Sequence, residues 1–202
     1  MNMIFNMKFS GLLVLALFLA SITACNQQSV EKNFHSIDIT GADFGHDFRL
    51  TDHTGQVRTL SDFKNNIVVI FFGYTHCPEV CPTTMSDLAS TIKLLGKDAD
   101  KVKVLFVTLD PERDTQELLA KYVPSFNPDF VGLYGDKAAT EKVAKDFRIF
   151  FQKQKGKSSQ QYDLDHTAGA YVFDQTGKIR LFLRYGQGAE SIAHDMRILL
   201  NS

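Results

Sequence analysis

The sequence predicts an α/β fold: a central mixed sheet flanked by helices, with an N-terminal hairpin. Three observations carry this. Ile67–Phe72, an uninterrupted apolar run, has the β-branched and aromatic content of a strand buried on both faces, and Val102–Leu109 reads as a second buried strand. Segments with helical spacing of apolar residues separate the strand candidates. Near the end, Ala170–Phe173 and Ile179–Leu183 flank a turn, Asp174-Gln-Thr-Gly-Lys178, and an amphipathic stretch follows.

In chain order, Phe48–Thr51 and Gln56–Thr59 alternate around Asp52-His-Thr-Gly55 and predict the first hairpin. After the buried run at 67–72, Met85, Leu88, Ile92 and Leu95 recur at helical spacing, and Gly96 marks a stop. Past the second buried strand, Asp114 reads as an N-cap with Glu117 at the third helical position, and that helix ends near Tyr122. Val131–Tyr134 is a short strand candidate, and Asp136 caps a helix from Lys137 to about Phe147. Arg148–Gln152 follows, then a polar stretch, Lys153–Gln160, with the character of a hairpin tip or loop. Ala189–Leu200 closes the chain as an amphipathic helix. This order is that of a thioredoxin-like sandwich.

The first thirty residues have a different character. Lys8 is their only charged residue before the apolar stretch Leu12–Ala20, and small residues precede Cys25. A positive start, a short apolar core and small residues before a cut describe a signal peptide. Ile22-Thr-Ala-Cys25 also resembles a bacterial lipobox, which implies lipidation at Cys25. The alternative is an uncleaved membrane anchor with an incidental cysteine. The expected division is therefore a signal peptide over 1–24, a tether over 25–43 and a folded domain over 44–202. That domain would be extracytoplasmic, on the periplasmic side, and held to a membrane.

Composition narrows the function. The 202 residues carry 22 Lys and Arg against 23 Asp and Glu, too balanced for the basic field that nucleic-acid binding requires. Seventeen phenylalanines and 44% hydrophobic residues exclude wholesale disorder. Three cysteines are too few for a disulfide-stapled scaffold. Nothing calls for more than a monomer.

With Cys25 at the anchor, Cys77 and Cys81 stand alone in the domain. They lie between a buried strand and a helix, where open α/β sheets place their ligands. Their spacing brings both sulfurs to one side of the turn, close enough to clamp a metal ion or form a disulfide. Cys81 lies near the helix N-terminus, where unpaired N–H groups favour a thiolate. Pro82 suits the first helical position. Glu79, if close, would work the other way. Two thiolates select Cu(I) or Zn, and an imidazole suits either. Among six histidines, His166 falls just before the strand at 170–173, in a loop expected beside the cysteines. His76 points away from its neighbour Cys77, His35 belongs to the tether, and His46, His53 and His194 read as surface or turn residues. No proline follows Pro128, so the cis-proline that usually faces a thioredoxin-type disulfide is missing, and His166 takes its place.

Phe71-Phe-Gly-Tyr-Thr-His-Cys77-Pro-Glu-Val-Cys81-Pro82, then Asp110-Pro-Glu-Arg-Asp-Thr115 and Asp165-His166-Thr, resemble the Sco/SenC family over roughly residues 44–200. The resemblance implies a thioredoxin-like protein that binds copper, as Cu(I) or Cu(II), through Cys77, Cys81 and His166. It implies help in building the dinuclear copper centre of cytochrome c oxidase, by delivering copper, reducing that centre's cysteines, or both. The partners it implies are the oxidase subunit carrying that centre, and an upstream periplasmic copper donor or thiol reductant. Cys77 and Cys81 would also be the redox disulfide. Asp110 and Asp165 are candidates for supporting the site from behind its ligands, while Met85 reads as core. The expected role is a copper chaperone rather than an enzyme with turnover. A metal-free thiol-disulfide oxidoreductase is the main rival, with a peroxiredoxin-like peroxidase and a structural zinc site behind it.

Overall fold

The structure, a computed structural model, describes residues 33–154 and 162–202. The expected signal peptide, lipobox and Cys25 lie outside the described residues. Ten strands are described: β1 (Ile37–Asp38), β2 (Arg49–Asp52), β3 (Val57–Thr59), β4 (Ile67–Gly73), β5 (Val102–Thr108), β6 (Val131–Tyr134), β7 (Phe151–Lys153), β8 (Leu164–His166), β9 (Gly169–Phe173) and β10 (Ile179–Arg184). The four α-helices are α1 (Val80–Leu95), α2 (Gln116–Tyr122), α3 (Lys137–Asp146) and α4 (Ala189–Leu200). Eight strands form one sheet in the order β1-β10-β9-β4-β5-β6-β2-β3, and β7 pairs with β8 apart from it.

β4 is the axis. All seven of its residues are buried, as its unbroken apolar sequence predicts. It pairs in parallel with β5 and antiparallel with β9, so the expected mixed sheet forms. Alternation along the strand splits its aromatics between faces. Phe72 packs on Phe147, just past α3, whereas Phe71 meets Phe106 and, at its edge, His166. Full burial of each such ring contributes roughly 2–3 kcal/mol relative to exposure.

The two hairpins use one turn chemistry, read directly in the repeated Asp-x-Thr-Gly pattern. Asp52 accepts from the amides of Thr54 and Gln56, from Thr54 Oγ1 and from Arg58 Nε. Asp174 accepts from the amides of Thr176 and Lys178, from Thr176 Oγ1 and from Arg180 Nη1. The glycines at 55 and 177 have φ of 88° and 79°, values that ordinary side chains resist. Burial works to raise the Asp52 pKa, but these donors outweigh it and hold the pKa at about 2.

Four expectations change. Residues 34–43, read as the end of the tether, instead join the domain. β1 pairs with β10, and Asp195 accepts the amides of His35 and Ser36. The compact unit accordingly begins at Phe34 rather than residue 44. α1 starts at Val80, which moves Pro82 to its third position; the amide it lacks would still have had no partner within the helix. α2 is capped by Thr115, whose side chain accepts from the Leu118 amide, and not by Asp114. Finally, His166 lies in β8 rather than in a loop, paired with Phe151.

Candidate metal centre

Cys77, Cys81 and His166 come together: one ligand atom from each lies within 4.8 Å of the others. β4 delivers the chain to the cysteine loop, α1 begins inside it, and β8, in the separate ribbon with β7, brings the histidine. Cys81 is fully buried, and both cysteines are free thiols. Cys77 and His166 line an open cleft of about 400 Å³, with Tyr74, Pro78 and Glu79 among its walls.

The α1 N-terminus lacks a conventional side-chain cap. The Cys77 sulfur takes that part, accepting the Cys81 amide at 3.3 Å. The expected division of labour between the thiols is therefore reversed. Cys77 becomes the acidic one: the Cys81 thiol donates to it, burial opposes, and the amides of Cys81 and Glu79 help bring the pKa down to about 3. Cys81, as donor to Cys77 and buried, is pushed far above the ordinary thiol value. Glu79 supplies a favourable amide, and its side chain is exposed.

His166 is presented with its proton placed. Its Nδ1 lies 3.0 Å from the Thr167 carbonyl oxygen, which can only accept, so Nδ1 carries the hydrogen. Nε2 then keeps its lone pair free for a metal ion, with Cys81 Sγ 3.5 Å away. The ring is held edge-on by Phe71 and Tyr74. Burial raises the Tyr74 pKa to about 12, so its hydroxyl stays neutral and accepts the Leu164 amide at the start of β8.

Asp110 and Asp165 prove to have different duties. Asp110 is buried and accepts from Arg113 Nε at 2.5 Å and Tyr162 Oη at 2.6 Å. Arg113 in turn donates to the Tyr162 carbonyl and lies 3.6 Å from that ring's centroid. Asp110 thus anchors the base of the strand that carries His166, not the cysteine loop. Asp165 is exposed, tied to Gln154 and, by alternation, on the face opposite His166. Met85 is core, as expected.

Sequence reasoning missed two residues. Asp114, expected as a cap, is a buried carboxylate that accepts from the Thr75 amide, Thr75 Oγ1 and Thr108 Oγ1, pinning the loop that leads to Cys77. Gly73 is the other. A Cβ there would lie 2.8 Å from Cys81 Sγ and 3.0 Å from the Phe106 ring, so only glycine lets the sulfur settle against β4. Its signal was an isolated glycine ending an apolar run. Asp114 had none beyond its place in the acidic motif.

The SCO1/SenC family model matches residues 38–201, all of the sheet but Ile37 and the site with it. The chain belongs to the SCO1/SenC family. It is 38% identical over 160 residues to the mitochondrial SCO2 homolog of Danio rerio, covering 75% of this chain and 56% of that protein. Against the human mitochondrial SCO1 homolog it is 34% identical over 159 residues, covering 76% and 53%. The chain thus spans about half the length of these SCO relatives. Among solved structures, ScoI of Bradyrhizobium japonicum with copper bound superposes with a TM-score of 0.73 at 39% identity, covering 78% of this chain and all of that one. Apo Sco1 of Thermus thermophilus gives 0.75 at 33%, covering 85% and 99%. The expected thioredoxin-like architecture is that of the SCO1/SenC structures.

Proposed function

We propose that this protein is a membrane-tethered, extracytoplasmic copper chaperone whose ligands are Cys77, Cys81 and His166, and that it serves the dinuclear copper centre of cytochrome c oxidase. The observation that carries the reading is the convergence of two thiols and one imidazole lone pair on a point facing an open cleft. Two sulfurs and a nitrogen suit copper: the thiolates satisfy Cu(I), and the imidazole adds a third donor or helps capture Cu(II). A similar protein, ScoI of Bradyrhizobium japonicum, has been solved with copper bound, which supports the same cargo here. Zinc would lack a fourth protein ligand.

In this reading Cys77 is the waiting anion and Cys81 gives up its proton as the metal enters, so binding releases a proton. Residues 1–24 are the signal sequence with its lipobox, lipidated at Cys25, and the tether runs to the point where the chain joins the domain. Asp110 and Asp114 hold the two halves of the site from behind.

The unequal thiols also favour a second reading, reduction of a partner's disulfide. The Cys77 thiolate attacks one sulfur of that disulfide, forming a mixed disulfide and releasing a partner thiolate. Cys81, losing its proton, then displaces the second partner thiolate. The partner is reduced by two electrons, and Cys77–Cys81 is left as a disulfide. Copper plays no part in this sequence.

A copper titration of the reduced protein, followed by sulfur-to-copper charge transfer, separates the two. His166→Ala is expected to keep Cu(I) and lose most Cu(II) affinity, and Cys77→Ser to lose both. Failure of the reduced protein to take copper from a competing chelator overturns the chaperone reading. If His166→Ala fully supports oxidase assembly, the reductase reading prevails.

A further inference from the structure

A second cluster of donors lies away from the cysteines, where the N-terminal segment meets α4. Asp195 is fully buried and accepts four hydrogen bonds. The His35 amide (2.9 Å) and His194 Nδ1 (3.1 Å) reach Oδ1, and the Ser36 amide (2.8 Å) and Ser36 Oγ (2.5 Å) reach Oδ2. Gln187 Nε2 donates to Ser36 Oγ at 2.6 Å. A carboxylate only accepts, so His194 carries its hydrogen on Nδ1 and turns an Nε2 lone pair outward. A carboxylate that fixes the tautomer and orientation of an imidazole in this way is the usual support of a metal-binding histidine.

His35 completes the arrangement from the other end of the chain. Its backbone is pinned by Asp195, and its ring stacks on His194 with centroids 4.2 Å apart and planes 8° apart. One donor atom from each of His35, His194 and Asp195 lies within 4.8 Å of the others. In the stack the in-plane lone pairs run side by side, so an ion is shared only when the exposed His35 ring swings out of the stack to aim its lone pair where that of His194 points. We propose that His35 and His194, braced by Asp195, form a second metal site that takes a borderline divalent cation, Cu(II) above all. Imidazoles without thiolates prefer such ions, and Cu(II) heads the divalent series. Water completes the shell. The bound ion clamps the start of the folded domain to α4.

The test does not depend on the cysteine site. In the full chain carrying Cys77→Ser, Cys81→Ser and His166→Ala, titration with Cu(II) chloride followed by electron paramagnetic resonance is expected to show one site with nitrogen hyperfine structure. Adding His35→Ala or His194→Ala should weaken it at least tenfold, whereas His46→Ala should leave it unchanged. Unaltered affinity in the His35→Ala/His194→Ala variant overturns the proposal. A second measurement needs no altered core. In the wild-type chain already loaded with one Cu(I), substoichiometric Cu(II) should broaden the His35 and His194 ring resonances before those of His46 and His53. Broadening that begins elsewhere overturns the proposal equally.

Discussion

The two halves of the candidate metal centre are held in opposite ways. The cysteine half is part of the core: Cys81 is buried against β4, Cys77 caps α1, and the buried carboxylate of Asp114 fixes the loop between strand and helix. The histidine half stands on a two-stranded ribbon outside the main sheet. On that ribbon Gln152, Lys153 and Asp165 are exposed, and beside it Phe150 is 61% exposed. Short strands with little burial are the parts of a protein that open most readily. The comparison teaches that the thiol pair is set into the core, while His166 rides on a short ribbon whose outer face is exposed.

The largest expected effect tests the rigid half. Asp114→Ala removes the acceptor for three donors at 2.5–2.9 Å and leaves the buried Thr108 hydroxyl without one. That costs about 3 kcal/mol, or roughly 10 °C in melting temperature for a domain of this size. Calorimetry checks it. Unchanged melting would mean that the cysteine loop is not tied to the core as argued, and the contrast between the halves would collapse.

Gly73→Ala strikes the same half more selectively. The new methyl meets Cys81 Sγ at 2.8 Å and the Phe106 ring at 3.0 Å, so the sulfur must shift. A loss of about 2 kcal/mol in stability is expected from overpacking. Cu(I) affinity should fall at least tenfold as the thiol pair is spread, measured by competition with a Cu(I) chelator. If affinity survives while stability drops, the sulfur positions are less constrained than the geometry implies.

The thiols themselves offer a pH test. The thiolate is the reactive form, and the Cys77 pKa is lowered to about 3 while that of Cys81 is raised. Above about pH 4, therefore, Cys77 should already alkylate with iodoacetamide. Cys81 should stay unmodified through neutral pH, as mass spectrometry of the reduced, metal-free protein would reveal. Equal modification of both at pH 6 would remove the asymmetry.

Most of the architecture was legible because burial writes itself into composition. Ile67–Phe72 and Val102–Leu109 allow few readings but central strands, and Asp52 and Asp174 announced their turns by the residues that follow them. The three candidate site residues were read from donor chemistry and order along the chain, and the structure brings them together. Their distances were not legible, because they depend on which strands adjoin. The docking of residues 34–43 was hidden for a similar reason. The segment has no periodicity of its own and is held by Asp195, some 160 positions away in sequence. Asp114 was misread because a carboxylate ahead of a helix looks like a cap until its donors are known. Local rules fail where one side chain answers to a distant element.

The smallest expected effect is the sharpest test of the pliable half. Tyr162 stands at the foot of β8, its hydroxyl on Asp110 and its ring between the Arg113 guanidinium, 3.6 Å from the centroid, and Lys153 Nζ at 4.4 Å. Tyr162→Phe keeps the ring and removes one hydrogen bond, for a loss of about 1 kcal/mol. That energy falls on the anchor of the His166 ribbon and leaves the thiols untouched. Cu(II) affinity, which needs the imidazole, should drop about threefold, and Cu(I) affinity should not move. A parallel decline in both would mean that ribbon and cysteine loop move as one body. The histidine would then be as fixed as the sulfurs, and release would have to begin at the thiols.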